Sequence, residues 1–337
     1  MKAFVINRPG EAGVTELEKP SPREGEVLVK VMAAGICGTD AHIYKGEYMG
    51  SYPCVPGHEF SGVVASLGRG AGRFRVGQRV TADPNISCDA CAPCRENKQN
   101  YCENAQTTGV TLPGAMAEYV AVPEKCVFDA EGVGFTEAAM AEPLSCVLYG
   151  AERVRGMLPA AASVLISGAG PIGLTHLQVA RLNGAADVTV TDLFESKLEL
   201  ARALGADHAV NAAEFEGSAR RGRYDLVIDC TGIPRVIEGS VKYARDSGVL
   251  LIFGVCPVGS EVRLDPYEIF RREITVTGSY ALKRTLGRAL ELIRGGKINL
   301  MPLVGERFSL EGAEGAIRDM IAGKAGMKAM IYPNGVE

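Results

Sequence analysis

One stretch limits the fold of this chain more than any other. Val164-Leu165-Ile166-Ser167 is an apolar run of strand length, and Gly168-Ala169-Gly170-Pro171-Ile172-Gly173 follows it at once and opens a helical pattern. A glycine-rich turn between a strand and a helix is the fingerprint of a unit that binds the pyrophosphate of a dinucleotide. Gly168 permits the tight turn, Gly170 lets the backbone approach the phosphates, and Gly173 lets the helix pack closely on the sheet. Pro171 and Ile172 stand at the helix N-terminus, whose free N–H groups face an anion.

The text after the turn continues in the same style. A helix is expected over 172–183, a strand over 188–191, a helix over 196–204, and strands over 224–229, 248–253 and 274–277. Strands alternating with helices mark a parallel sheet with crossover connections, and the compact apolar runs fit strands buried on both faces. Asp192 lies twenty-two positions beyond Gly170, which suits the spacing of about 20 at which a carboxylate meets the adenosine ribose hydroxyls. That acid repels a 2′-phosphate, and Leu193 follows where an arginine would welcome one, so NAD is favoured over NADP. Lys197 is read either as a further ribose contact or as an exposed helix lysine.

Before residue 140 the texture differs. Short β-rich runs at 27–32, 62–67, 78–82 and 117–122 are punctuated by Gly and Pro, which predicts a strand-rich, barrel-like domain. At 337 residues the chain is read as two domains of ordinary size. Its 47% hydrophobic and 23% charged residues describe a soluble globular α/β protein. A net charge of −4 without a basic stripe excludes a nucleic-acid footprint. The short N-terminal apolar run is broken by Arg8 and Pro9, unlike a signal peptide. No segment reaches the roughly 20 apolar residues of a membrane span, and a cytoplasmic location is expected.

Ten cysteines in such a chain point to metal ligands and buried thiols rather than to disulfides. Cys88, Cys91, Cys94 and Cys102 form Cys-x2-Cys-x2-Cys-x7-Cys in the polar segment 89–104. Four thiolates with no spare position make a closed structural zinc site. The bacterial iron–sulfur run ends on a three-residue gap followed by Pro, whereas here the gap is seven and Glu103 follows. Cys54, Cys126, Cys146, Cys230 and Cys256 fit no ligand spacing and are expected to be inert buried thiols. A second, dispersed set comprises Cys37, Thr39 and His42 within six positions, and Gly57-His58-Glu59. A catalytic zinc takes about three protein ligands and keeps one position open. Cys37 and His58 are the first two candidates, and Glu59 or Glu142 the third. Asp40 is either a turn residue or an outer partner of a ligand. His176 is expected to pack in or on the first crossover helix, and His208 to be structural.

Cys37-Gly38-Thr39-Asp40-x-His42, Gly57-His58-Glu59, the four-cysteine lobe, Glu142-Pro143-Leu144-Ser145 and the 168–173 loop occur in one order along the chain. In that order and at those separations the sequence resembles the zinc-containing medium-chain dehydrogenases, especially their polyol and sorbitol branch. The resemblance covers essentially the whole chain. It implies a GroES-like catalytic domain, residues 1–143 and 279–337, enclosing a Rossmann NAD-binding domain, residues 144–278. That the tail, with a helix over 286–294 and a strand over 328–332, rejoins the first domain is also part of what it implies.

The resemblance further implies two zinc ions per chain, NAD as hydride acceptor, and a homodimer or homotetramer. It places the Thr39 hydroxyl at the substrate oxygen and His42 at the solvent side of a proton relay, with Glu59 and Glu142 near the metal. The expected substrate is a small secondary alcohol, a polyol or vicinal diol; with Lys45 and Arg284 unplaced, a phosphorylated polyol stays open. Sorbitol dehydrogenases carry an arginine that Gly278-Ser279-Tyr280-Ala281 lacks, and Tyr280 is read either as its partial substitute or as a subunit contact. Two rivals stand beside this reading: threonine or simple alcohol dehydrogenases, of which the former carry a tryptophan-containing stretch that this tryptophan-free chain lacks, and a non-catalytic nucleotide-binding relative.

Overall fold

The computed structural model describes residues 1–47, 51–218 and 222–335. They form two compact units. The first comprises Met1–Ser145, Lys283–Gly296 and Val304–Glu337; the second comprises Cys146–Leu282 and Lys297–Leu303.

The second unit is built on a six-stranded parallel sheet. Its spatial order is His208–Asn211, Asp187–Asp192, Ser163–Ser167, Tyr224–Asp229, Ala244–Ile252 and Thr275–Gly278. The strand before the glycine turn therefore lies inside the sheet, paired with Asp187–Asp192 on one side and Tyr224–Asp229 on the other. Strand order reverses there, the place where doubly wound sheets bind ligands. All six residues of Tyr224–Asp229 are buried, as expected of a strand covered on both faces. The buried phenol of Tyr224 is satisfied by Thr189 Oγ1 at 3.1 Å.

Several boundaries shift by a few residues, and one strand start shifts for a clear reason. The strand expected over 248–253 runs from Ala244 to Ile252. Its first part, Arg245-Asp246-Ser247, is exposed, Ser247 has φ +59°, and the register against the neighbouring strand breaks between Tyr224 and Leu226. A bulge of polar residues hides the strand start from a reading based on apolar runs.

The first unit holds a seven-stranded sheet. Val304–Phe308 pairs in parallel with Lys328–Ile331, and the remaining pairs are antiparallel: Lys328–Ile331 with Glu26–Gly35, then Glu59–Leu67, Arg79–Ala82 and Val127–Asp129. Tyr119–Pro123 also pairs with Glu26–Gly35, along residues 26–30, while Met330 and Ile331 pair at Gly35 and Ala34. One ten-residue strand thus carries two partners on one edge and Glu59–Leu67 on the other. Phe4, Ile6, Val29, Ile36, Ile43, Phe60, Leu310 and Ile317 share its core. A hairpin of Lys2–Arg8 and Glu11–Glu16, turned by Gly10 at φ +78°, completes it. The helix Leu286–Arg294 buries Leu286, Ala289, Leu290 and Ile293, one apolar stripe at helical spacing.

Candidate metal and cofactor sites

The four-cysteine segment folds as a lobe around a short helix, Ala92–Arg95, with Asp89 and Asn97 in left-handed turns at φ +56° and +59°. The sulfurs of Cys88, Cys91, Cys94 and Cys102 all lie within 4.8 Å of one another, and those of Cys91 and Cys102 are 3.9 Å apart. Zinc–sulfur bonds of about 2.3 Å set tetrahedral sulfurs about 3.8 Å apart, so the lobe is already of zinc size. Backbone N–H groups donate to these sulfurs: Cys88 N to Cys102 Sγ and Cys91 N to Cys88 Sγ, both at 3.3 Å. The N–H groups of Ala90 and Cys91 and the Asn104 amide push the Cys88 thiol down to about 6, whereas burial pushes Cys94 up to about 12. Lys125 closes the lobe from below, donating to Ser87 O and pairing with Asp89 at 2.9 Å.

The second cluster gathers two separated segments. Cys37 precedes the helix Gly38–Lys45; His58 and Glu59 open the strand Glu59–Leu67. A ligand atom of each of Cys37, His58 and Glu59 lies within 4.8 Å of the others. Asp40 fastens the arrangement. Its Oδ2 accepts from Cys37 N at 2.8 Å and its Oδ1 from Gly57 N at 3.2 Å, with Oδ1 also 3.8 Å from His58 Nδ1. Asp40 thus caps the turn and faces the His58 ring. Gly57, at φ +95°, is held to glycine because a Cβ would lie 2.8 Å from Met116 N.

Electrostatics favour a cation here. Burial works against charge on His58, yet Cys37, Asp40 and Glu142 outweigh it and raise its pKa well above the ordinary range. Burial raises Asp40, and pushes Glu142 up to about 7. Acids thus outnumber bases in a buried space, which an ion such as zinc relieves. His58 Nδ1 is buried without a hydrogen-bond partner among the described residues, a state that a metal and its ligands correct. Glu142, on the helix Ala141–Val154, is buried and acts electrostatically on His58, but it is not in the three-residue cluster.

Thr39 and His42 share the helix Gly38–Lys45 three residues apart, hence one face. The Cys37 thiol donates to Thr39 Oγ1 at 3.8 Å. His42 is half-buried, with Nδ1 at 2.9 Å from Glu47 Oε2, and Lys45 Nζ donates to the same acid at 2.7 Å. Lys45 is thereby engaged on the surface, and Arg284 sits 3.8 Å from Asp89 of the cysteine lobe.

In the second unit, Gly168 turns at φ +99° and the helix Pro171–Leu182 starts behind Gly170. A Cβ on Gly173 would stand 1.8 Å from Gly168 O, so only glycine lets helix and turn meet; a Cβ on Gly170 would meet nothing within 4 Å, which leaves that side open for phosphate. Asp192 Oδ2 accepts from Ala169 N at 2.8 Å and Oδ1 from Phe194 N at 3.0 Å. Two of its four acceptor positions remain for hydroxyls. Lys197 lies with Nζ 5.0 Å from the Phe194 ring centroid.

Three sequence expectations need correction or sharpening. Of the five non-ligand cysteines only Cys126 is fully buried; Cys54, Cys146, Cys230 and Cys256 are half-buried. His176 is buried edge-on to Phe253, ring centroids 4.5 Å apart, and burial pushes its pKa down to about 3. It lines a cavity of about 350 Å³ with Val164, Leu226 and Leu251. His208 has an exposed ring 3.6 Å from Asp187, at the edge of the sheet. Two partners escape a sequence reading altogether. Glu47 faces His42, and Lys328, 7% exposed, donates to Glu59 Oε1 at 2.6 Å and to Ile36 O at 3.0 Å. Burial disfavours the Lys328 charge, but Glu59 and Cys37 outweigh that and raise its pKa. A lysine opening an apolar strand reads as a solvent-facing end, and only strand pairing brings it inward.

Residues 23–132 match the model of the alcohol dehydrogenase GroES-like domain, and residues 171–294 match that of zinc-binding dehydrogenases. The chain is 36% identical to D-altritol 5-dehydrogenase of Agrobacterium fabrum, over 92% of this chain and 93% of the relative. It is 32% identical to sorbitol dehydrogenase of Bacillus subtilis, over 99% and 98%. A crystal structure of a zinc-binding dehydrogenase from Sinorhizobium meliloti bound to NADP superposes with a TM-score of 0.93 at 33% identity, covering 98% of this chain and 99% of that one.

Proposed function

This chain belongs to the zinc-binding dehydrogenase family with an alcohol dehydrogenase GroES-like domain, and we propose that it oxidises a secondary alcohol of a polyol or vicinal diol to the ketone with NAD. It is an enzyme that uses zinc and a nicotinamide cofactor. The observation that carries the proposal is the buried cluster of Cys37, His58 and Glu59. The polyol preference rests on the altritol and sorbitol dehydrogenases among its relatives, and on the buried acid Glu142, which gives a second substrate hydroxyl an acceptor that a purely apolar alcohol would leave unused.

Two zinc ions per chain are part of the proposal, one held by the cysteine lobe and one by Cys37, His58 and Glu59 with Glu142 close by. When bound, the catalytic zinc supplies Lewis acidity at the substrate oxygen and the nicotinamide accepts the hydride. The protein's own part is the proton. In this reading Thr39 Oγ1 takes the substrate hydroxyl's proton as it releases its own, and His42, on the same face of the helix, delivers the released proton to water. Glu47 orients the imidazole through Nδ1.

Residues 144–278 as the cofactor domain, and 1–143 with 279–337 as the catalytic one, belong to the same proposal. So does a homodimer or homotetramer, supported by the sheet-edge strand Thr275–Gly278 with exposed Val258 and Phe270 in the same unit. No helix among the described residues is long and apolar enough to cross a membrane. Ten cysteines free of disulfides support a reducing, cytoplasmic setting.

The test is initial rates with NAD and NADP across sorbitol, xylitol, arabitol, galactitol, 2,3-butanediol, threonine and 2-propanol, with light scattering on the same sample for its mass. Polyols or the diol with NAD are expected to give the highest kcat/KM. A tenfold advantage of threonine or 2-propanol, about 1.4 kcal/mol of transition-state discrimination, overturns the polyol reading.

Asp192 sets the cofactor preference in this proposal. Asp192→Ala removes a ribose acceptor and a charge that repels a 2′-phosphate, so the ratio of NAD to NADP efficiency is expected to fall by about tenfold or more, the size of one charge-assisted hydrogen bond of roughly 1.5 kcal/mol. An unchanged ratio would assign the preference to another residue.

A further inference from the structure

The three-residue cluster leaves a question of choice, since two buried glutamates compete to complete the Cys37–His58 pair. Strand pairing bears on the answer. Gly35 stands opposite Glu59 on one neighbour and opposite Met330 on the other. The Glu59 side chain therefore lies across a position that has no side chain, and reaches Lys328 on the strand beyond. Gly35 has no left-handed φ to explain it; instead a Cβ there would lie 2.2 Å from Glu59 Oε2, 3.1 Å from Lys328 Cε and 3.3 Å from Glu59 Cβ. No carboxylate tolerates the first of these distances in a buried site without moving.

We propose that Lys328 and Gly35 are positioning residues that together commit Glu59, rather than Glu142, to the metal. Lys328 holds the Glu59 carboxylate through a buried contact of 2.6 Å, and Gly35 leaves the space that Oε2 occupies. Glu142, on a helix instead of this three-strand ladder, has no equivalent place in the cluster. The inference rests on the reading of Cys37, His58 and Glu59 as zinc ligands.

The experiment measures metal directly. Purified wild type and the variants Lys328→Met, Lys328→Arg, Gly35→Ala, Glu59→Gln, Glu142→Gln and Cys37→Ala are assayed for zinc content, then for zinc affinity of the weaker site by chelator competition. The zinc kept in the cysteine lobe and the affinity for NADH report that each variant is folded. Lys328→Met, Gly35→Ala and Glu59→Gln are expected to weaken the second site by about 10- to 100-fold, the usual effect of losing a ligand's support. Lys328→Arg and Glu142→Gln are expected to stay within about threefold of wild type on the same scale. Wild-type affinity in both Lys328→Met and Gly35→Ala overturns the inference, while loss in Cys37→Ala keeps the zinc assignment standing. A larger loss in Glu142→Gln than in Glu59→Gln overturns it too, by reversing the choice of acid. Two tightly held zincs in Cys37→Ala remove the zinc assignment itself, and this inference with it.

Discussion

Cys37→Ala and His58→Ala are expected to lower kcat by at least about 1000-fold, because Lewis-acid stabilisation of the transition state is worth several kcal/mol and each factor of ten is about 1.4 kcal/mol. Affinity for NADH should remain within about twofold, since the glycine turn and Asp192 belong to the second unit and the metal cluster to the first. The control matters because a misfolded variant loses both. Steady-state rates with the best polyol, together with fluorescence titration of NADH, separate the two. Activity near wild type in either variant would show that the cluster is not where catalysis occurs.

Cys91→Ser should behave in the opposite way. The lobe is closed by four sulfurs and offers no open position, so the zinc proposed there would act through folding. Loss of one thiolate ligand breaks a tetrahedron that backbone N–H groups already support. The expected result is one zinc fewer per chain and a melting temperature lower by about 10 °C, taking several kcal/mol at roughly 2–4 °C each. The fraction that stays folded should keep its kcat within about threefold, because a closed structural site takes no part in the chemical step. Unchanged melting with lost catalysis would exchange the roles of the two sites.

What the sequence reveals here follows how local the physics is. The cysteine lobe is legible because its ligands fall within residues 88–102 and four thiols so close have few other uses. The glycine turn is legible because strand, turn and helix N-terminus adjoin, so that the need for Gly173 is met five residues from its cause at Gly168. The hairpin Lys2–Arg8 and Glu11–Glu16 is harder: Ala3 to Ile6 are all buried and show no alternation. Cysteine spacing excludes Cys54 or Cys230 as ligands of the lobe yet does not report burial, which depends on neighbours from distant strands. Lys328 and Gly35 lie furthest from any sequence signal. Each looks ordinary in its own segment, and their roles exist only in the register that sets Gly35 between Glu59 and Met330. Asp40 is intermediate: its cap on Cys37 is local, whereas its contact with His58 is not.

The bond from Lys328 to Glu59 spans 269 residues of sequence, and the intervening stretch contains the whole parallel sheet of the second unit. During translation Cys37, His58 and Glu59 leave the ribosome long before the lysine that steadies one of them. Contacts of such separation form late, after closure of a large loop, and N-terminal segments wait for them in a partly assembled state. Until then Glu59 lacks its Lys328 counter-ion, while every strand of the second unit's sheet has already been synthesised. A chain of this topology has the whole sheet of its second unit in hand before the strand that completes the sheet of the first.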